Sequence, residues 1–329
     1  MTNTFGSIFR VTITGESHGK SIAVVIDGCP AGIPVDKEDF VNDLNRRKPG
    51  KAGTTKRVED DYPFIESGIF NGYTTGAPIL IRFENRDVKS KHYDDIKDYP
   101  RPSHADFVAY RKYKGFNDYR GGGHFSGRVT VGIVAAGVIA KKLINPIKVE
   151  AKVKSIGGKK DYADLIAEVA KEGDSIGGIV ECICSNVPVG LGEPFFYSVE
   201  SVISHLVFSI PGVKGIEFGA GFRCAEMKGS EFNDILIDSE GKTLTNNAGG
   251  INGGITNGND IVFRVAVRPT ATIFKPQETI DLKTGEKATV FPKGRHDTCI
   301  ALRVPVIVEA MTAIALADLK LLSLKDNLF

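Results

Sequence analysis

The sequence predicts a mixed fold of the α+β kind in one large domain covering residues 1–329. Three observations lead there. β-Branched runs and amphipathic helical runs are both present, but strands are not followed regularly by helices, which disfavours a doubly wound sheet and puts α+β ahead of α/β. The chain has 329 residues with 42% hydrophobic content, enough to bury a large core. No internal repeat or low-complexity linker divides it.

The elements follow in order. Residues 9–14 and 21–27 read as β-strands joined by a turn at 15–19. Asp36 reads as the cap of a helix whose Phe40, Val41 and Leu44 face one way, and Lys48-Pro49-Gly50 stops it. A strand is expected at 78–83. Ser103, with Asp106 three residues on, forms a weak capping box ahead of Phe107, Val108 and Tyr110. Residues 127–143 form a helix with a stripe of Val131, Val134, Ala135, Val138 and Ile139, ended by Asn145-Pro146. Amphipathic helices are expected at 161–171 and 198–209, and strands at 177–185 and 261–267. Residues 305–322 make a long helix, apolar except for an edge of Glu309, Thr312 and Asp318, to be buried in a core or a subunit contact.

Composition excludes several classes. The formal net charge of +2 gives no global field for nucleic acid or an anionic membrane, so anion selectivity must come from local arginines. The five cysteines, Cys29, Cys182, Cys184, Cys224 and Cys299, contain no CxxC pair, which argues against a zinc site or a disulfide framework. No metal site is expected. No apolar run approaches the ~20 residues of a membrane span, and residues 1–10 lack the apolar core of a secretory signal. A soluble, cytoplasmic protein is the expectation.

Six clusters could carry chemistry. His18 sits between glycines on a strand-to-strand turn, either a surface histidine or a general acid or base. Arg46, Arg47, Lys48, Lys51, Lys56 and Arg57 run into Glu59, Asp60 and Asp61. That pattern suits a solvated face, a nucleic-acid patch or a polyanion pocket, and the acidic run weighs against nucleic acid. In Arg101-Pro102-Ser103-His104-Ala105-Asp106 a helix dipole disfavours the histidine cation unless an anion restores it. Gly121-Gly122-Gly123 lead to Ser126 and Arg128 at a helix start, where free N–H groups suit an anion; this is neither a Walker A loop nor a GxGxxG turn. The glycine-rich 247–258 loop and Arg268-Pro269-Thr270-Ala271-Thr272 could hold a phosphate. Gly294-Arg295-His296-Asp297 offers either a helix cap or a carboxylate in a site.

In their order and spacing, Gly15-Glu16-Ser17-His18-Gly19, Arg101 to Asp106, Asp118-Tyr119-Arg120-Gly121-Gly122-Gly123 through Arg128, and Gly294 to Asp297 resemble the chorismate synthase family, from Gly6 to about Asp318. The resemblance implies a single-domain β-α-β sandwich assembled as a homotetramer, with FMN near subunit contacts. It implies a lyase that turns 5-enolpyruvylshikimate 3-phosphate into chorismate by a 1,4-elimination needing reduced FMN. The hydrogen lost is not acidified by an adjacent carbonyl, so a side-chain base alone would struggle, and the cofactor carries the hard chemistry.

Carried over by motif, His18 assists the departing phosphate, His104 balances the anionic flavin, and Asp297 helps pass the ring hydrogen. Arg47, Arg101 and Arg128 clamp the substrate's acidic groups. FMN is touched by His124, Phe125, Ser126, Gly253, Arg268, Pro269, Thr270, Ala271, Thr272 and Arg295, and by Arg47, which is also linked to NADP(H). NADPH acts as indirect reductant through an external flavin reductase, as in bacterial members without long insertions.

Four positions depart from the family pattern. His124-Phe125-Ser126-Gly127-Arg128 replaces Arg-Ser-Ser-Ala-Arg. Gly53 replaces a basic residue, with Lys51 and Lys56 nearby. Thr298 replaces a proline, and Arg268 a lysine. Gly53 and Thr298 motivate an alternative, a flavin- or anion-binding protein without turnover.

Overall fold

Alternation builds the first sheet. In β3 (Ser21–Asp27) the buried side chains are Ile22, Val24 and Ile26. They pair antiparallel with Phe83, Ile81 and Ile79 of a strand at Ile79–Glu84. With β1 (Thr4–Phe5), β2 (Arg10–Gly15) and β4 (Phe64–Ser67), and a hairpin of β5 (Ile69–Phe70) and β6 (Tyr73–Thr74), that strand becomes β7, and the sheet order is β1-β2-β3-β7-β4. A second antiparallel sheet, of β8 (Lys148–Ile156), β9 (Gly178–Ser185), β10 (Val213–Phe218) and a strand at Ile261–Val267, repeats the logic. Short pairs at β11 (Ile251–Asn252) and β12 (Ile255–Thr256) precede that last strand, β13, and the order is β10-β13-β9-β8. A further hairpin, β14 (Gln277–Ile280) and β15 (Lys287–Val290), follows. The computed structural model describes residues 3–50, 52–55, 57, 59–88, 93, 97–292 and 296–324.

The helices are α1 (Glu38–Arg47), α2 (Asp106–Lys112), α3 (Thr130–Ile144), α4 (Ala163–Lys171), α5 (Val199–Phe208), α6 (Gly229–Phe232) and α7 (Val304–Ser323). α3 lies on β3 and β7, α7 packs on α3 and on β8 and β9, and α5 fills in against β10. Two helical glycines permit this. A Cβ on Gly132 would come within 3.3 Å of Ile13 and Val24, and one on Gly137 within 2.4 Å of the Ala310 Cβ. Glycine is costly inside a helix, and here it lets α3 lie close to both neighbours. The result is a helix layer between two antiparallel sheets, the β-α-β sandwich expected.

Several local expectations are corrected. The buried face of α1 is Phe40, Asp43, Leu44 and Arg47, while Val41 is 51% exposed. That stripe keeps helical spacing but carries two charges, which have partners in the core. Asp106 does not box with Ser103; it turns toward Arg101 and His104. The polar residues of α7 form no exposed edge. Glu309 accepts from Arg46, Lys141 and the Ala151 N–H. Asp318 accepts the N–H groups of Ser7, Ile8 and Phe9, and Thr312 donates to the Val308 carbonyl. α7 is therefore buried within one chain, so its apolarity reports no subunit contact. β8, β10 and the β14–β15 hairpin are strands beyond those expected from sequence.

Candidate active site

α3 and α7 both begin at one end of the sandwich, where a cavity opens. Seven basic side chains (Arg47, Lys48, Arg57, Arg101, Arg128, Arg268, Arg303) and four acidic ones (Glu59, Asp61, Asp87, Asp297) line it, so its field favours anions. The helix N-termini add to that field. No set of side chains spaced to hold a metal ion occurs among the described residues.

His18 is not an exposed loop tip. It is half-buried in the cavity wall, its ring 5.1 Å from that of Tyr93 and edge-on. The glycine run explains how the backbone passes beneath it. A Cβ on Gly121 would stand 2.2 Å from His18 Nδ1, and one on Gly122 3.5 Å from His104. Both glycines hold positive φ, at 60° and 80°. Burial, then the charges of Arg57 and Arg120, lower the His18 pKa to about 4, so the free protein carries a neutral imidazole at neutral pH.

His104 is oriented by a three-residue network. Its Nδ1 lies 2.7 Å from Asp106 Oδ1, and Arg101 grips the same carboxylate through Nε at 2.7 Å and Nη2 at 2.8 Å. A proton on Nδ1 donated to Asp106 leaves Nε2 as the other face of the ring. Burial lowers the His104 pKa against the opposing pull of Asp106. Arg101 and His104 hold the Asp106 carboxyl well below its usual range, overcoming burial. Arg101 Nη1 donates to the Thr272 hydroxyl at 3.0 Å, tying this network to the segment after β13.

The segment after α1 supplies the opposite wall. Glu59 and Asp61 turn inward, and Asp60 alone of the acidic run stays outside, on Arg86 at 2.9 Å. Arg57 donates to the Ser17 hydroxyl at 2.9 Å and to Glu59 at 2.7 Å. Asp61 accepts from Arg47 on one oxygen and from Arg128 on the other. Arg47 keeps Nε and Nη1 buried with no partner among the described residues. Burial lowers its pKa to about 10, which leaves it cationic at neutral pH. Arg101 and Arg128 differ from it: each of their guanidinium nitrogens already meets a protein acceptor or His104.

Asp297 lines the same cavity. It accepts the Thr55 N–H at 2.8 Å and pairs with Arg303 at 3.2 Å, while Arg303 Nε donates to the Arg47 carbonyl at 2.9 Å. The Gly53 and Thr298 departures meet in the structure. Gly53, at φ 84°, leaves no room for a side chain, since a Cβ would meet Ile166 at 2.6 Å. Its carbonyl accepts the Thr298 N–H at 2.8 Å, a bond that proline could not donate.

Phe125, Ser126, Arg268, Thr270, Ala271 and Thr272 line the cavity as well. The Thr270 hydroxyl is buried without a partner among the described residues. Pro269, His124 and Gly253 do not line it. His124 is pinned to the Gly15 carbonyl at 2.8 Å and to Asn3 at 3.1 Å. Gly253 sits in the β11–β12 turn with open space around its Cβ position. Arg295, Gly294, Lys51 and Lys56 lie outside the described residues.

Sequence reasoning placed Arg57, Glu59 and Asp61 in a charged cluster without giving any of them a role, and it missed Arg303 as a site residue. Arg57, Glu59 and Asp61 alternate along the chain, and that alternation was the signal available.

A family model described as chorismate synthase matches residues 9–321. A chorismate synthase of Chitinophaga pinensis is 59% identical over 326 residues, covering 99% of this chain and 98% of that protein. One from Pyrococcus abyssi is 46% identical over 341 residues, covering 95% and 96%. A crystal structure of a chorismate synthase superposes with a TM-score of 0.75 at 29% identity, covering 97% of this chain and 94% of that one.

Proposed function

The chain belongs to the chorismate synthase family, and on that premise we propose how its own residues perform the reaction. It is a carbon–oxygen lyase that converts 5-enolpyruvylshikimate 3-phosphate to chorismate and phosphate, the last common step of the shikimate pathway. The observation that carries the residue-level reading is the meeting of His18, His104, Asp297 and an under-partnered Arg47 on one cationic cavity.

Arg47 binds the substrate's acidic groups through its open nitrogens, with Lys48 beside it. Arg101 and Arg128 contribute charge and hold their neighbours in place, Arg101 through Asp106 and His104. His18 is neutral before binding, and a bound phosphate dianion raises its pKa so that it takes up the proton it later gives to the leaving group. Asp297, kept by Thr55 and Arg303, receives or relays the ring hydrogen.

Reduced FMN fits the remaining lining: the orphaned Thr270 hydroxyl and Arg268 suit its phosphate, and Phe125 offers a ring face. When bound, it would supply the electron density that the elimination needs. His104 balances the anionic cofactor. His124, Ser126, Pro269, Gly253 and Arg295 complete the proposed contacts, His124 and Gly253 across a junction between copies. The chain assembles as a homotetramer, with the exposed Phe195, Phe196 and Phe222, at 84%, 90% and 82%, available for contacts between copies. No described helix is long and apolar enough to cross a membrane. Cytoplasmic location, and NADPH acting through an external flavin reductase, belong to the same proposal.

The test is an anaerobic assay with dithionite-reduced FMN and substrate. Phosphate and chorismate should appear in equal amounts. Flavin binding without phosphate release would instead leave a binding protein.

A further inference from the structure

Asp61 belongs to none of the motifs that identify the family, yet it holds two of the arginines assigned to the substrate. Its side chain is 0% exposed. One oxygen accepts from Arg47 Nη2 and the other from Arg128 Nη1. Arg128 is itself fixed by Asn85 at 3.0 Å and by the Glu84 carbonyl at 3.3 Å, at the end of β7. A rigid arginine therefore anchors the carboxylate, and the carboxylate in turn holds the outer nitrogen of Arg47.

Two buried guanidiniums sharing one small region repel each other, and each loses hydration. A carboxylate between them removes that repulsion. It also occupies one nitrogen of Arg47, leaving Nε and Nη1 buried and unanswered among the described residues. A guanidinium with one nitrogen tied is restrained in orientation, and recognition of a carboxylate or phosphate depends on the direction of its plane.

We propose that Asp61 is the positioning residue of the anion clamp, orienting Arg47 toward the substrate while Arg128 braces the carboxylate from behind. Asp61 acts through Arg47 and touches no reacting atom. The proposal rests on the reading that this cavity binds the polyanionic ester.

The backbone suggests the experiment. Asp61 sits at φ 51°, where glycine is at ease. Asp61→Gly removes the carboxylate without adding backbone strain and leaves a gap large enough to admit formate. Its KM for substrate should rise about 10–100-fold, as expected for a charged hydrogen bond lost in orientation, with a smaller change in kcat. Added formate should restore KM. Asp61→Asn, whose amide fills the gap, should show the raised KM without a formate response.

A wild-type KM in either variant overturns the proposal, as does a folded Asp61→Gly variant that formate leaves unchanged. If Asp61→Gly does not fold, the KM of Asp61→Asn decides alone. Failure here is distinguishable from failure of the functional reading: wild-type protein that releases no phosphate sinks that reading, whereas active wild type with unaffected Asp61 variants sinks only the role of Asp61.

Discussion

Two regions of this molecule bury carboxylates, and they treat them differently. In the helix layer, Glu309 and Asp318 are each 2% exposed and surrounded by donors. Arg46, Lys141 and the Ala151 N–H answer Glu309, and three consecutive backbone N–H groups answer Asp318. Around the cavity, Asp61 is equally buried, but the Arg47 it holds keeps two nitrogens without a partner among the described residues. The helix layer answers these two carboxylates within the chain. A binding site leaves some buried donors open for a ligand to satisfy.

The comparison makes sharp demands. The largest effect belongs to the cavity. His18→Ala should lower kcat by about 10²–10⁴-fold, the usual span for a lost acid–base group, with Tm little changed. A matching fall in Tm would mean that His18 acts as a structural residue. In the core the reverse should hold. Asp318→Ala orphans three buried N–H groups, so chemical denaturation should show a loss of about 3–5 kcal/mol, while activity per folded molecule stays the same. Gly137→Val forces a side chain into Ala310, and overpacking of this kind costs about 1–3 kcal/mol.

A subtler effect follows from pH. The folded-state pKa of His18, about 4, lies below its ordinary 6.5. The unfolded chain therefore binds more protons between these values, and stability should decline as pH falls through that window. Urea midpoints measured at steps from neutral pH to pH 4 should decline less for His18→Asn than for the wild type. Identical slopes would show that the imidazole is not held neutral. The smallest effect is Val41→Gln on the exposed side of α1, which should shift stability by no more than about 0.5 kcal/mol.

Much of the scaffold was legible because its pattern is local. Ile22, Val24 and Ile26 alternate within seven residues of one strand, and α3 announces itself by an apolar stripe and a proline stop. The cavity's histidines and glycines were legible as clusters. What escaped depends on distant partners. Glu309 reads as an exposed edge until Arg46, 263 residues away in sequence, reaches it. Asp318 meets Ile8 across 310 residues. Asp61 looked like part of a solvated acidic run because its second arginine, Arg128, comes 67 residues later. β8 was missed although Val149, Ala151 and Val153 alternate, because lysine and glutamate between them weaken the strand signal.

The most direct test of the contrast is equilibrium binding of substrate in the absence of reduced flavin, so that no turnover intrudes. Titration calorimetry on the wild type, Arg47→Gln and the core variant Asp318→Asn would suffice. Arg47→Gln should bind about 10–100-fold more weakly, the span of a lost charged hydrogen bond, while folded Asp318→Asn binds as the wild type does. Equal affinity in all three would contradict the claim that the open donors of Arg47 are where the ligand attaches.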